Sequence, residues 1–316
     1  MTESIKVSVF CLAYNHEKYI RKCLDGFVMQ KTTFPFEVLV HDDASTDNTA
    51  EIIREYAQKY PDIIKPILQT ENQYSKGVRI IATFLRDKAA GEYVAWCEGD
   101  DCWTDCNKLQ KQIDFLDSHP DYSCCYHRVL RNDLTHNTIS YIPNMDKSRE
   151  FRLDEIVKKG AVFQLSSFVI RRQIYLQMPD CFRAKGFGDI ALYMYGAICG
   201  KCHVLSDVMS TYNHGTEGSW TVNVSRDKKK NLEHEYEMLA MLKRVNEFYN
   251  YKYNDILAYA IDRTQFNIYI LTGDKKQARD KKYCEFYHRY KITQRTLFLQ
   301  KKFPLLVKIK RLIKRR

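Results

Sequence analysis

The sequence has 316 residues, 45% of them hydrophobic, and no apolar run near the roughly 18 residues of a membrane-spanning helix. That fits one large globular domain or a domain with an appendage. The net charge of +11 is concentrated, since residues 281–316 hold 13 Lys and Arg against the single acid Glu285 and the preceding 280 residues sum to −1. This distribution excludes a uniformly basic nucleic-acid binder and sets the basic end apart as a separate device.

In chain order, residues 6–14 (KVSVFCLAY) predict a strand and 17–30 a helix with apolar positions at helical spacing. A second strand is expected over 36–40. The next helix is expected to be capped by Ser45 or Thr46, with Ile52, Ile53 and Tyr56 facing inward. A strand over 63–68, a helix over 78–90, a strand over 92–97 and a helix over 107–117 follow. Strands alternating with helices at this pace predict an α/β fold, a mostly parallel sheet covered on both faces. Beyond residue 130 the pattern is less regular: a strand over 161–171, a helix over 189–199 and a strand over 202–212 are expected. From about residue 225 the chain reads as helical, with candidates at 227–249, 254–271 and 274–290.

In an open parallel sheet, ligands bind beyond the carboxyl ends of the strands. Three polar clusters fall there: Tyr14-Asn15, Asp42-Asp43 and Glu98-Gly99-Asp100-Asp101. Crowded carboxylates repel unless something positive lies between them, and acids suit hard cations such as Mg²⁺ or Mn²⁺ that share their shell with phosphates. Solvated Asp turns remain the alternative, with Ser45 accounting for part of the second cluster. Gly186-Phe187-Gly188-Asp189-Ile190-Ala191 matches a dinucleotide fingerprint in form but follows no strand pattern. The eleven cysteines lack a disulfide framework's spacing, and without a signal-peptide pattern at the N-terminus reduced thiols in a cytoplasmic protein are expected. Cys199, Cys202 and His203 fit the redox C-x-x-C and haem C-x-x-C-H spacings, which leaves a redox or haem protein as a rival reading.

Four ordered segments across about residues 5–221 resemble family 2 glycosyltransferases of the GT-A fold. They are VSVFCLAYN, EVLVHDDASTDNT, GEYVAWCEGDDCWTDCNKLQKQIDFL and GFGDIALYMYGAICGKCHVLSDVMSTY. The resemblance implies a Rossmann-like catalytic domain over 1–221 and a helical region over 222–316. It implies a nucleotide site with Asp43, backed by Asp42, on the N3–H of uracil, Tyr14 against the base and the Leu12 backbone nearby. Arg79 would meet the diphosphate, Asp100 the ribose or metal, and Asp101 the metal as its main ligand, with His214 a further candidate ligand. Asp189 would be the general base, with capping of its helix as the alternative, and Trp220 a core residue or an acceptor-side lid. Asn213 stands where such enzymes often carry arginine, and no Q-x-x-R-W motif is present, which implies transfer of a single sugar.

The resemblance thus implies an inverting transferase, Mn²⁺ or Mg²⁺ as cofactor, a nucleotide-sugar donor with UDP favoured, and a saccharide or lipid-linked saccharide acceptor, as in cell-surface polysaccharide assembly. A catalytically silent nucleotide-sugar-binding protein is the other alternative. In the tail, KKFPLLVKIKRLIKRR, an apolar stripe of Leu305, Ile309 and Leu312 opposes Lys308, Lys310, Arg311, Lys314 and Arg315. That is the pattern of a helix lying on an anionic membrane surface, with a solvated basic end as the alternative. Nucleic acid is not expected as a partner.

Overall fold

Seven residues of alternating side-chain direction, Val7–Ala13 (β1), form an interior strand of the sheet, with both faces of the strand covered. The computed structural model describes residues 4–160, 162–183, 188–216, 224 and 227–302. β1 pairs in parallel with Phe36–Asp42 (β2), which in turn pairs with Ile64–Leu68 (β3). On its other side β1 pairs in parallel with Tyr93–Trp96 (β4). Helices Ile20–Val28 (α1), Thr49–Lys59 (α2) and Lys108–Ser118 (α3) follow β1, β2 and a short strand, Cys102–Trp103 (β5).

The chain then returns through a long strand, Tyr122–Asp133 (β6), hairpinned to Thr138–Ile142 (β7). Arg149–Phe151 (β8), helix Leu153–Lys159 (α4), Val169–Arg171 (β9), helices Arg172–Leu176 (α5) and Gly188–Cys199 (α6), and strand Lys201–His214 (β10) complete this part. The sheet runs β3-β2-β1-β4-β9-β6-β10-β5, with β7 on β6 and β8 on β10. β9 is antiparallel to both β4 and β6, so it joins two parallel blocks, β3-β2-β1-β4 and β6-β10.

Side chains alternate faces along a strand. Val7, Val9, Cys11 and Ala13 therefore enter one apolar cluster with Ile20, Leu24, Phe27, Ile53 and Ile113 from α1, α2 and α3. Phe10, Leu39, Val94 and Trp96 enter another with Tyr126, Phe163, Phe168 and Tyr193. Two covered faces make this an α/β architecture with its sheet between two layers of helices and loops.

The structure departs from the sequence reading at four places. Thr49 opens α2, and Asp47 rather than Ser45 or Thr46 accepts its amide, at 3.0 Å. Ser45 instead folds back on Asp42. The helix expected over 78–90 is a wide turn, Ile81–Leu85, and a tight turn, Arg86–Lys88, because β-branched Val78, Ile80, Ile81 and Thr83 crowd a regular helix. The strand expected over 161–171 shrinks to β9, since buried Ser166 and Ser167 turn the chain, the Ser167 hydroxyl donating to the Gln164 carbonyl at 2.7 Å.

By contact the chain separates into 1–226 and 227–316. The second unit contains Lys228–Phe248 (α7), Asn254–Thr272 (α8), Lys275–Ala278 (α9) and Cys284–Lys302 (α10). Asp280 splits the helix expected over 274–290 by accepting the Lys282 amide at 2.8 Å. Among the described residues no helix is long and apolar enough to cross a membrane.

One core residue is a lysine. Lys108 is fully buried, its Nζ 3.9 Å from the centre of the Trp103 ring and without a hydrogen-bond partner among the described residues. Burial pulls its pKa from 10.5 to about 7. The unfolded chain therefore holds more protons than the folded one between these values, and stability rises with pH across that window. Lys108→Met is expected to raise stability near pH 7 by about 1–3 kcal/mol, the usual cost of an unsatisfied buried polar group. It should also flatten the rise in melting temperature between about pH 7 and 10. A variant that melts lower at every pH would show that the amine has a partner.

Candidate active site

β1 and β2 end level with one another, because Ala13 pairs with Asp42, while β4 ends three residues short, with Trp96 opposite Phe10. The turn after β4 closes against β1: the Gly99 amide donates to the Leu12 carbonyl at 2.8 Å. Gly99 is required there, since a Cβ would stand 2.8 Å from His16 Nδ1 and 3.1 Å from the Ala13 Cβ. Leu12 thus helps to hold the acid turn through its backbone.

The Asp42-Asp43 pair divides its work. Asp42 is buried and takes the Ser45 hydroxyl at 2.5 Å and the Ser45 amide at 3.1 Å, which shapes the loop. Asp43 accepts the Gln73 and Tyr74 amides at 2.8 and 3.0 Å, one on each carboxylate oxygen. Each oxygen has two lone pairs, so both retain capacity for another donor. Tyr14 and Tyr74 are exposed beside it. Asn15 takes a left-handed conformation, φ 55°, and its side-chain oxygen accepts the Thr46 amide at 2.8 Å, which fixes the path past Tyr14.

Asp100 and Asp101 are tied to the end of β10. The Asn213 amide donates to Asp101 Oδ1 at 3.1 Å, its side-chain nitrogen to the Asp100 carbonyl at 2.8 Å, and the Thr216 hydroxyl to Asp100 Oδ2 at 2.9 Å. Asn213 and Thr216 have no role in the sequence reading. Burial and the charges of Asp100 and Glu98 push Asp101 well above the ordinary carboxylate range, against the single Asn213 bond that favours ionisation. Glu98 lies at the exposed edge of this crowd, where loss of water around its carboxyl and the charges of Asp100 and Asp189 push it up to about 8.

Asp189 stands in the first turn of α6, with Oδ1 accepting the Ile190 amide at 2.8 Å. Burial raises its pKa, while that bond and its own backbone amide oppose the rise. One turn on, at i+4, Tyr193 is 1% exposed and its phenol has no hydrogen-bond partner among the described residues. Burial, and then the charges of Asp189, Glu98 and Asp101, push that phenol well above its usual value. One region of the fold thus contains Glu98, Asp100, Asp101, Asp189 and Tyr193. Tyr193 escaped the sequence reading because its spacing was indistinguishable from core packing.

Two further expected residues lie at the end of β10 and just before the turn at Ile81–Leu85. Neighbouring side chains on a strand point to opposite faces. With Asn213 turned to Asp100, His214 places Nδ1 3.5 Å from Asp133. Arg79 is exposed and makes no ion pair among the described residues; its charge acts on Tyr175. Trp220 and Gly186-Phe187 lie outside the described residues. The cysteine motif is dismantled: Cys199 is exposed, Cys202 is buried with its sulfur 3.2 Å from Cys124, and His203 stacks on Phe115 at 4.0 Å. That arrangement offers neither a vicinal dithiol nor a haem attachment.

A divalent ion fits the acid turn by its donor chemistry. Carboxylate oxygens crowd it, no ammonium or guanidinium among the described residues is one of the groups acting on Glu98, and burial and like charge raise the Asp101 pKa. Among the described residues no group of three His, Cys, Asp or Glu is preassembled as a metal cage. Such sparse sets suit Mg²⁺ or Mn²⁺, which keep waters and take further oxygens from phosphates.

Comparison with known proteins bears on the family and the fold. A Mycobacterium tuberculosis protein described as uncharacterized is 39% identical over 217 residues, 68% of this chain and 60% of that protein. The chain thus spans about 60% of the length of such mycobacterial relatives. The putative teichuronic acid biosynthesis glycosyltransferase TuaG of Bacillus subtilis is 32% identical over 175 residues, 55% of this chain and 66% of TuaG. Among solved structures, S. aureus TarS 1–349 with UDP-GlcNAc superposes with a TM-score of 0.57 at 21% identity, covering 87% of this chain and 81% of that one. The mannosyltransferase PcManGT from Pyrobaculum calidifontis, in complex with GDP-Man and Mn²⁺, gives 0.55 at 15% identity, covering 100% and 89%. At these identities the structures speak for the fold alone. The profile of Glycosyl transferase family 2 matches residues 8–177, more than half of the sequence, and the chain belongs to that family.

Proposed function

We propose that the protein is an inverting, non-processive glycosyltransferase that moves one sugar from a nucleotide-sugar donor to a hydroxyl of a saccharide or lipid-linked saccharide. Residues 1–221 would form the catalytic domain. The observation that carries this reading is the uncompensated carboxylate turn Glu98–Asp101 beside Asp43 at the carboxyl ends of parallel strands, with Asp189 acting electrostatically on it. The likeness to TuaG, a putative teichuronic acid biosynthesis glycosyltransferase, supports an acceptor in cell-surface polysaccharide assembly, and the UDP sugar bound to TarS supports a UDP-linked donor.

In this mechanism Asp43, with Asp42 holding its loop, accepts the N3–H of uracil, and Tyr14 packs on the base. Asp100 meets the ribose or the metal, Asp101 holds a divalent ion, and Arg79 reaches the diphosphate. A divalent ion held by Asp101 would supply positive charge near the leaving phosphate oxygen, where negative charge develops. Asp189 takes the proton of the acceptor hydroxyl as that oxygen attacks the anomeric carbon. With one base and no carboxylate nucleophile, an α-linked donor gives a β-linked product. His214 would be a further candidate ligand, with Nδ1 3.5 Å from Asp133. Trp220 is assigned to the acceptor side. The amphipathic tail, whose residues 303–316 lie outside the described part, would rest on anionic lipid at the cytoplasmic face of the membrane.

A thermal-shift panel of UDP-, GDP- and dTDP-linked sugars with and without Mn²⁺ tests the reading. A UDP sugar with Mn²⁺ at a hundred times its Kd is expected to stabilise the fold by about 2.7 kcal/mol, with slow UDP release. Stabilisation without any donor hydrolysis or transfer would instead favour a silent binding protein. No response to any nucleotide sugar would overturn both.

A further inference from the structure

We propose that a groove in the second unit, between Arg279 after α9 and the exposed face of α10, is a binding site for a phosphate-ester anion. The groove measures about 530 Å³, and Arg279, Tyr287, Lys291, Ile292 and Arg295 are among its lining residues. Tyr287, Lys291 and Arg295 succeed one another at i+4 and so share one side of α10. Like charges at that spacing repel, so Lys291 and Arg295 destabilise the helix unless an anion lies between them.

Arg279 is already oriented toward this face. Its Nε donates to the Tyr287 hydroxyl at 3.1 Å. Its guanidinium and the Lys291 ammonium each lie 5.9 Å from the centre of the Tyr287 ring. The Arg279 bond first, and then the charges of Arg279, Lys291 and Lys275, lower the phenol's pKa, which reports a positive field focused there.

The nearby acids are engaged elsewhere. Glu285 pairs with Arg289 at 2.6 Å and Asp262 with Lys282 at 2.7 Å. Asp274 and Asp280 accept the Gln277 and Lys282 amides at 3.1 and 2.8 Å. Neither Lys291 nor Arg295 makes an ion pair among the described residues.

Two guanidinium groups and an ammonium around one groove suit a tetrahedral oxyanion better than a planar carboxylate, because they approach from different directions. The volume exceeds that of bare phosphate, and the Tyr287 ring and Ile292 provide apolar wall for the organic part of an ester. A soluble phosphate ester and an anionic lipid headgroup share this chemistry. The inference does not depend on the glycosyltransferase reading, since every residue in it belongs to the second unit.

The test compares the full chain with its Arg279→Gln/Lys291→Gln/Arg295→Gln variant, after circular dichroism shows that both fold. Every sample keeps residues 303–316, so a difference reads the groove and not the tail. One arm titrates inorganic phosphate by calorimetry without divalent metal. The other measures co-sedimentation with phosphatidylcholine vesicles with and without phosphatidylglycerol. Each lost charge-assisted contact is worth on the order of tenfold in affinity, so the variant should bind at least about tenfold more weakly. A loss in the phosphate arm assigns the groove to soluble esters, and a loss confined to anionic vesicles assigns it to a headgroup. Equal behaviour of the two proteins in both arms, including no binding by either, overturns the proposal.

Discussion

Asp101→Asn is expected to weaken Mn²⁺-dependent UDP binding by at least about 100-fold, since loss of a supporting group around a metal already costs 10–100-fold. Asparagine keeps the volume and the side-chain oxygen that accepts the Asn213 amide, so the local backbone should stay in place. The same change should make the metal-free protein more stable near neutral pH. Asp101 has a folded-state pKa well above 3.8, through burial first and then the charges of Asp100 and Glu98. The folded protein therefore holds more protons than the unfolded chain between those two values, and stability falls as pH rises through that window. Asparagine removes the penalty that remains at neutral pH. The expected pattern is a higher melting temperature without metal and no further rise on adding Mn²⁺ and UDP. Unchanged Mn²⁺-dependent UDP affinity would sink the assignment of Asp101.

Asp189→Asn should reduce transfer by roughly 10²–10⁴-fold, the usual worth of a general base, with donor affinity nearly unchanged. The amide keeps an oxygen for the Ile190 N–H, so the start of α6 is preserved while proton acceptance is lost. The pH profile supplies a second readout. A base acts when ionised, and burial raises the Asp189 pKa. Transfer by the natural enzyme should therefore fall as pH drops through a value above the ordinary carboxylate range, and the variant's residual rate should lack that limb. Equal turnover in the two proteins would leave Asp189 as the residue that caps α6.

Much of the first parallel block was legible because its signals are local. Strand composition, helical spacing and polar clusters at strand ends are properties of neighbouring residues, and they located β1, β2, β4 and the acid turn. The segment over 78–90 failed because its apolar spacing suits a helix while its β-branched run disfavours one. The hairpin β6–β7 escaped because β6 is buried along its first half and half-buried along most of its second, so no single period runs along it.

The amino-acid sequence by itself determined the α/β class, the family and the order in which carboxylates reach the ends of the strands. The tertiary structure decided what each carboxylate faces. Asp42 and Asp43 are adjacent, yet one shapes its own loop and the other takes the amides of Gln73 and Tyr74, some thirty residues on. Asn213 and His214 are adjacent too, but strand alternation gives one to Asp100 and Asp101 and the other to Asp133. Protonation and pairing depend on burial and on charges brought together from distant segments. Those distances exist only once the sheet has set which strand ends are neighbours.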